Sequence, residues 1–119
     1  MSLKDRFKKI RNDYVIHQVQ RARLPQFQSL DKHRYEIIFS GRVQKVGFRL
    51  EVCELAKRLE LTGYCMNLDN GDVFAQIQGY EDRIQFLISF MESLKRIKIV
   101  NKEIKEIEII EDEKEFKQK

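Results

Sequence analysis

The strongest chemical signal in this chain is one nine-residue segment, Gly41-Arg42-Val43-Gln44-Lys45-Val46-Gly47-Phe48-Arg49. It follows a stretch that alternates like a strand and precedes one that repeats like a helix. At such a junction consecutive main-chain N–H groups can converge on one point, and the helix N-terminus adds positive potential. An arginine in the first helical turn supplies a planar fork that matches phosphate oxygens. Binding of an anion, phosphate above all, is the chemistry these residue types allow. The plainer reading is a glycine-containing turn with a solvated arginine, since the segment is neither a Walker A loop nor a dinucleotide fingerprint. A second polar position, Asn67 in Asn67-Leu68-Asp69-Asn70-Gly71, falls at a strand end before a hairpin, where asparagine commonly caps the turn.

Metal and thiol chemistry are not expected. Cys53 and Cys65 lie twelve residues apart with no CxxC, and neither His17 nor His33 has a second ligand at metal spacing. Both cysteines sit in apolar patterns and read as buried, inert thiols of a reduced, cytoplasmic chain.

The elements that must position these residues follow from periodicity. Tyr35, Ile37 and Phe39 alternate with Glu36, Ser40 and Arg42, which predicts a half-buried strand. Phe48, Val52, Leu55, Ala56 and Leu59 then recur at helical spacing, with Glu51, Glu54, Lys57 and Arg58 between them. A second strand starts at Tyr64, after Gly63. Asn70-Gly71 predicts a hairpin in which both residues accept positive φ, and Val73, Ala75 and Ile77 mark a third strand. Ile84, Leu87, Ile88, Met91 and Leu94 stripe a second helix from about Glu81 to Lys95, with Lys95 and Arg96 suited to its C-terminal dipole. A last strand is expected from about Glu103 to Ile110, ahead of a charged tail whose one apolar residue is Phe116. The order βαββαβ predicts an α+β, ferredoxin-like sandwich: an antiparallel sheet with two helices on one face. That fold hosts many functions and selects none.

Length and charge bound the rest. The chain has 119 residues with one Pro and five Gly, enough for one core and too regular for a collagen-like or low-complexity class. No apolar run approaches the roughly 20 residues needed to cross a bilayer. The net charge of +4 is uneven: residues 1–32 carry eight Lys or Arg against three Asp, and residues 33–119 carry fifteen basic against sixteen acidic. Residues 1–32 thus read as a basic N-terminal extension, part helical, and residues 33–119 as the domain. Leu3, Phe7, Ile10 and Tyr14 have helical spacing among basic residues, and Leu24-Pro25 ends any helix there. Such an arm can lie on an anionic membrane or bind RNA, but docking on its own domain or a neighbour, or remaining mobile, is the commoner outcome.

Taken together, the two polar segments resemble the acylphosphatase family. Its signature of Gly, two variable residues, Gln, Gly, Val, a variable residue, Phe and Arg corresponds to Gly41 through Arg49, with Lys45 in place of the second glycine. Its second signature corresponds to Gly63-Tyr64, Asn67 and Asn70-Gly71, and Gln78-Gly79 agrees as well. The likeness covers roughly residues 33–110. It implies hydrolysis of a carboxylic-phosphoric mixed anhydride to a carboxylate and inorganic phosphate, with neither cofactor nor metal. The amides of Arg42, Val43, Gln44, Lys45 and Val46 are then expected to cradle the phosphate, Arg49 to bind its oxygens, and Asn67 to hold the attacking water. The expected partner is a small-molecule acyl phosphate, with inorganic phosphate or sulfate competing, and the protein is expected to be a monomer.

Lys45 leaves an alternative open. If that position needs positive φ, a non-glycine residue there costs on the order of 1–2 kcal/mol and can tilt the amides. The lysine can instead help hold the phosphate, or the loop can bind anions without turnover, making a non-catalytic phosphate-binding module. RNA recognition motifs share the βαββαβ order, but their third strand stacks bases on aromatic residues. Asn70-Gly71-Asp72-Val73-Phe74-Ala75 puts an acid and an aliphatic there, so nucleic acid is not an expected partner.

Overall fold

The computed structural model describes all 119 residues. The chain runs α1 (Leu3–Arg21), β1 (Lys32–Arg42), α2 (Phe48–Arg58), β2 (Thr62–Asn67), β3 (Val73–Tyr80), α3 (Glu81–Ser93), β4 (Lys98–Ile107) and β5 (Phe116–Gln118). One sheet has the order β4-β1-β3-β2-β5, antiparallel except for the β2–β5 pair. This is the α+β, ferredoxin-like sandwich that the periodicity predicts, extended by one strand and one helix. No helix is long and apolar enough to cross a membrane.

The core lies between the sheet and helices α2 and α3. Ile37, Phe39, Cys65, Val73, Ala75 and Ile77 from the strands meet Phe48, Val52, Leu55, Ala56 and Leu59 of α2 and Ile84, Leu87, Ile88 and Met91 of α3. The Phe39 and Phe48 rings sit 5.0 Å apart and tie the start of α2 to β1. Every apolar stripe residue predicted for these two helices is buried.

Two stretches differ from expectation. Strand β4 starts at Lys98, five residues earlier than the pattern implied, and ends at Ile107. Its residues are nearly all exposed and half of them are charged, as edge strands often are. Periodicity therefore finds only its second half, Glu103–Ile107, and the ladder to β1 adds the first. That ladder is irregular at Ser40/Gly41, where a Cβ on Gly41 would stand 2.2 Å from the Lys98 oxygen. The charged tail is also ordered. It crosses the open face of the sheet, where Arg34, 1% exposed, pairs with Glu113 at 2.7 Å and the Gln78 side chain bonds both main-chain groups of Ile110. Buried Phe116 then anchors β5 beside β2.

The extension docks. Ser2 caps α1 through its hydroxyl, which accepts from the Asp5 amide at 3.1 Å. At the other end Arg58 of α2 donates to the main-chain oxygens of Val19 and Ala22, at 2.6 and 2.7 Å, satisfying terminal carbonyls that a helix leaves free. The buried face is Val15 and Val19; the stripe Leu3, Phe7, Ile10 and Tyr14 is exposed. Beyond α1 the chain follows α3, with Phe27 edge-on to Phe86 and the Gln28 and Ser29 amides donating to Asp82 at 2.8 and 2.9 Å.

Candidate active site

Val43–Gly47 connect β1 to α2 without regular structure. Lys45 has φ +63° and Gly47 φ +80°, so the chain enters the left-handed region twice within three residues. Such a path turns successive amides inward. None of the five main-chain N–H groups from Val43 to Gly47 donates a hydrogen bond within the chain. The loop is held instead by its other atoms. The Gln44 side-chain Nε2 donates to the main-chain oxygens of Leu68 and Asp72, both at 2.8 Å, locking the loop to the β2–β3 hairpin. Arg96 Nε donates to the Val46 oxygen at 2.5 Å. The Gly47 oxygen accepts from the Glu51 amide at 3.0 Å and so opens α2.

A cavity of about 540 Å³ lies over the loop. Val43, Lys45, Gly47, Phe48, Arg49 and Leu50 form one wall, and Asn67 and Gln118 another. Arg49 Nη1 donates to the Lys119 main-chain oxygen at 2.7 Å, so the residue that follows β5 helps to hold the arginine in place. The Asn67 side chain has no hydrogen-bond partner, and its Oδ1 is buried. The turn-capping role falls to Asn70, whose Oδ1 accepts from the Asp72 amide at 3.0 Å. Asn70 itself keeps a negative φ, and only Gly71 of that pair, at φ +97°, uses the left-handed region.

The third wall was not legible as part of the site: Lys4, Phe7, Lys8, Arg11 and Asn12 of α1. Helix α1 comes close enough that a Cβ on Gly47 would stand 3.1 Å from Val15 Cγ2 and 3.3 Å from Arg11 Nε. The sequence does carry a signal. Positions 4, 8, 11, 15 and 19 share one helical face, rotated by one residue from the apolar stripe that first draws attention. Of the residues expected at the site, the structure brings Val43, Lys45, Arg49 and Asn67 together around the cavity. Gln44 and Val46 belong to the loop, where the Gln44 side chain and the Val46 oxygen act as anchors. Arg42 does not line the cavity; it pairs with Lys98 in the sheet, and its side chain donates to the Lys95 oxygen at 3.3 Å.

The wall residues include five cations, Lys4, Lys8, Arg11, Lys45 and Arg49, and no carboxylate. Loss of hydration, then repulsion from Arg96 and Arg49, lowers the Arg11 pKa, as expected where cations crowd. Fully buried Glu51 lies behind the loop and receives Arg96 Nη2 at 2.6 Å. Burial pushes its carboxyl upward, and the Arg96 bond opposes that shift. Arg96 therefore serves α2 and the loop, where the sequence suggested a role at the end of α3. Burial also raises both thiols, Cys65 to about 12, which leaves them protonated and unreactive near neutral pH.

Residues 35–118 match the family model for acylphosphatase. The acylphosphatase of Clostridium beijerinckii is 37% identical over 87 residues, which cover 70% of this chain and 93% of that protein. Among solved structures, an acylphosphatase from Coxiella burnetii superposes with a TM-score of 0.67 at 30% identity, over 79% of this chain and all of the other. The acylphosphatase of Bacillus subtilis does so with a TM-score of 0.64 at 31% identity, over 70% of this chain and 93% of the other. Fold, loop and relatives agree, and the chain belongs to the acylphosphatase family of enzymes, which hydrolyse acyl phosphates.

Proposed function

We propose that this enzyme binds the phosphoryl group of a small acyl phosphate on the amides of the Val43–Gly47 loop and the Arg49 guanidinium, and that Asn67 orients the attacking water. The observation that carries the reading is a loop of five unpaired amides, of which Val43, Lys45 and Gly47 line one cavity together with Arg49 and the unpartnered side chain of Asn67. Donors already fixed in space stabilise the charge on the equatorial phosphoryl oxygens without reorganising during the reaction. Water attacks phosphorus, the bond from phosphorus to the acyl oxygen breaks, and the electron pair leaves with the carboxylate. The water proton passes to the phosphate product and solvent. A carboxylate is a good leaving group, so in-line placement of water does most of what catalysis requires. Arg42 is read as closing the outer end of the loop from β1, with its amide next to the unpaired set. The protein is read as a monomer whose loop also takes inorganic phosphate or sulfate as competing anions.

The test is hydrolysis of benzoyl phosphate by the full chain at neutral pH, with and without EDTA. Arg49→Gln is expected to lower kcat/KM by about 10²–10³. Asn67→Ala is expected to lower kcat far more than it weakens inhibition by inorganic phosphate. Full activity in Arg49→Gln overturns the mechanism. Tight phosphate binding without turnover in the wild type favours the non-catalytic module instead, for which the left-handed Lys45 is the specific structural argument.

A further inference from the structure

The geometry points to a second anion subsite: Lys4, Lys8 and Arg11 of α1 select acyl phosphates whose acyl part carries an anionic group of its own. This rests on the phosphoryl-binding reading above and names the substrate class for it. At about 540 Å³ the cavity is in the range of small-molecule sites and far larger than a phosphate. Lys45 and Arg49, with the loop amides, already match the phosphoryl charge. Three further cations stand on the α1 wall, Arg11 nearest the loop and Lys4 and Lys8 beyond it, and no carboxylate lines the cavity.

Those cations are left unneutralised. The one ion pair of α1 joins Lys9 to Asp13, off this face. The only side-chain acceptor Arg11 finds is its neighbour Asn12, at 3.0–3.3 Å, so a partly buried guanidinium lacks a counter-charge. Lys4 and Lys8 form no ion pair, and Phe7 and Phe48 add apolar lining to the cavity. The buried Val15 and Val19 and the Arg58 cap fix α1, so its cations stand over the loop. Cations clustered around one cavity without a counter-charge favour an anion between them, and a substrate with a remote carboxylate or phosphate supplies it.

The test compares 4-carboxybenzoyl phosphate with 4-methylbenzoyl phosphate, similar in size and different in charge. Wild type is expected to prefer the carboxylated substrate by about tenfold in kcat/KM, and to lose that preference at high salt. The double variant Lys4→Ala/Lys8→Ala is expected to bring the ratio close to one, whereas Lys4→Arg/Lys8→Arg keeps it. Binding of (4-carboxybenzyl)phosphonate against benzylphosphonate, measured by calorimetry, follows the same order without turnover. A wild-type ratio near one, or a preference surviving in the alanine double variant, overturns the inference. Absent hydrolysis of both substrates with a lysine-dependent phosphonate preference overturns only the catalytic reading.

Discussion

Arg96 donates from Nη2 to Oε1 of Glu51 at 2.6 Å, and the receiving side chain has no exposed surface. The same guanidinium bonds the Val46 oxygen and lies 5.9 Å from the Tyr14 ring of α1. One ion pair thus sets the loop, the first turns of α2 and the position of the extension.

Removing Arg96 strands a buried carboxylate, which typically costs about 3 kcal/mol. Arg96→Ala is expected to lose that much stability in urea unfolding, and to lower kcat as the loop slackens. Glu51→Leu/Arg96→Met is expected to recover most of the stability, since an apolar pair avoids the desolvation cost, but not the activity, because the Val46 oxygen still lacks its donor. Recovery of both by the double variant would falsify a positioning role for Arg96.

Lys45 occupies φ +63° with its side chain exposed. A lysine there carries a steric cost that glycine avoids, partly offset by the greater freedom of glycine in the unfolded chain. Lys45→Gly is expected to stabilise by about 1 kcal/mol, read as a Tm rise of about 4 °C. Because the side chain lines the cavity, KM for benzoyl phosphate should rise about threefold. A tenfold gain in kcat would mean instead that the lysine tilts the amides.

What the sequence discloses here depends on whether local pattern and tertiary contact agree. The α2 stripe from Phe48 to Leu59 and the α3 stripe from Ile84 to Leu94 are periodic because one face meets the sheet, so they are legible. The loop is legible because Gly41 and Gly47 punctuate a strand-to-helix junction, and Asn67 because it closes a strand ahead of the Asn70-Gly71 turn. The first half of β4, Lys98 to Lys102, is hidden, since it lies on an edge and its pairing is supplied by β1. Helix α1 offers two competing stripes. Tertiary contacts, Val15 against Gly47 and the Arg58 cap, decide that Lys4, Lys8 and Arg11 face the site with Phe7, while Leu3, Ile10 and Tyr14 remain exposed away from it. The reach of Arg96 to Val46, fifty residues away, leaves no local trace at all.

Gln44 contributes more than its amide. Its Nε2 satisfies two main-chain oxygens of the hairpin that presents Asn67, at 2.8 Å each. Gln44→Glu keeps the shape but replaces the donor with an acceptor facing those oxygens. The expected loss is about 2 kcal/mol of stability, with kcat falling more than KM rises because Asn67 and the loop lose their common anchor. A variant with unchanged kcat and lowered stability would limit Gln44 to a structural role.

The last prediction concerns pH. His33 Nδ1 lies 2.8 Å from Glu106 Oε2, and Glu81 stands 4.0 Å from its Nε2. The hydrogen bond to Glu106 outweighs partial desolvation and raises the His33 pKa above its ordinary 6.5. The folded state therefore binds the proton more tightly than the unfolded one. This contribution to stability is complete below about pH 6.5, declines as pH rises from there through the folded value, and is gone above it. Unfolding free energies measured across that window should fall more steeply for wild type than for His33→Asn, and proton NMR should show the imidazole titrating above 6.5. Equal slopes in the two proteins would remove His33 from the account of β1, β4 and α3 meeting at this corner.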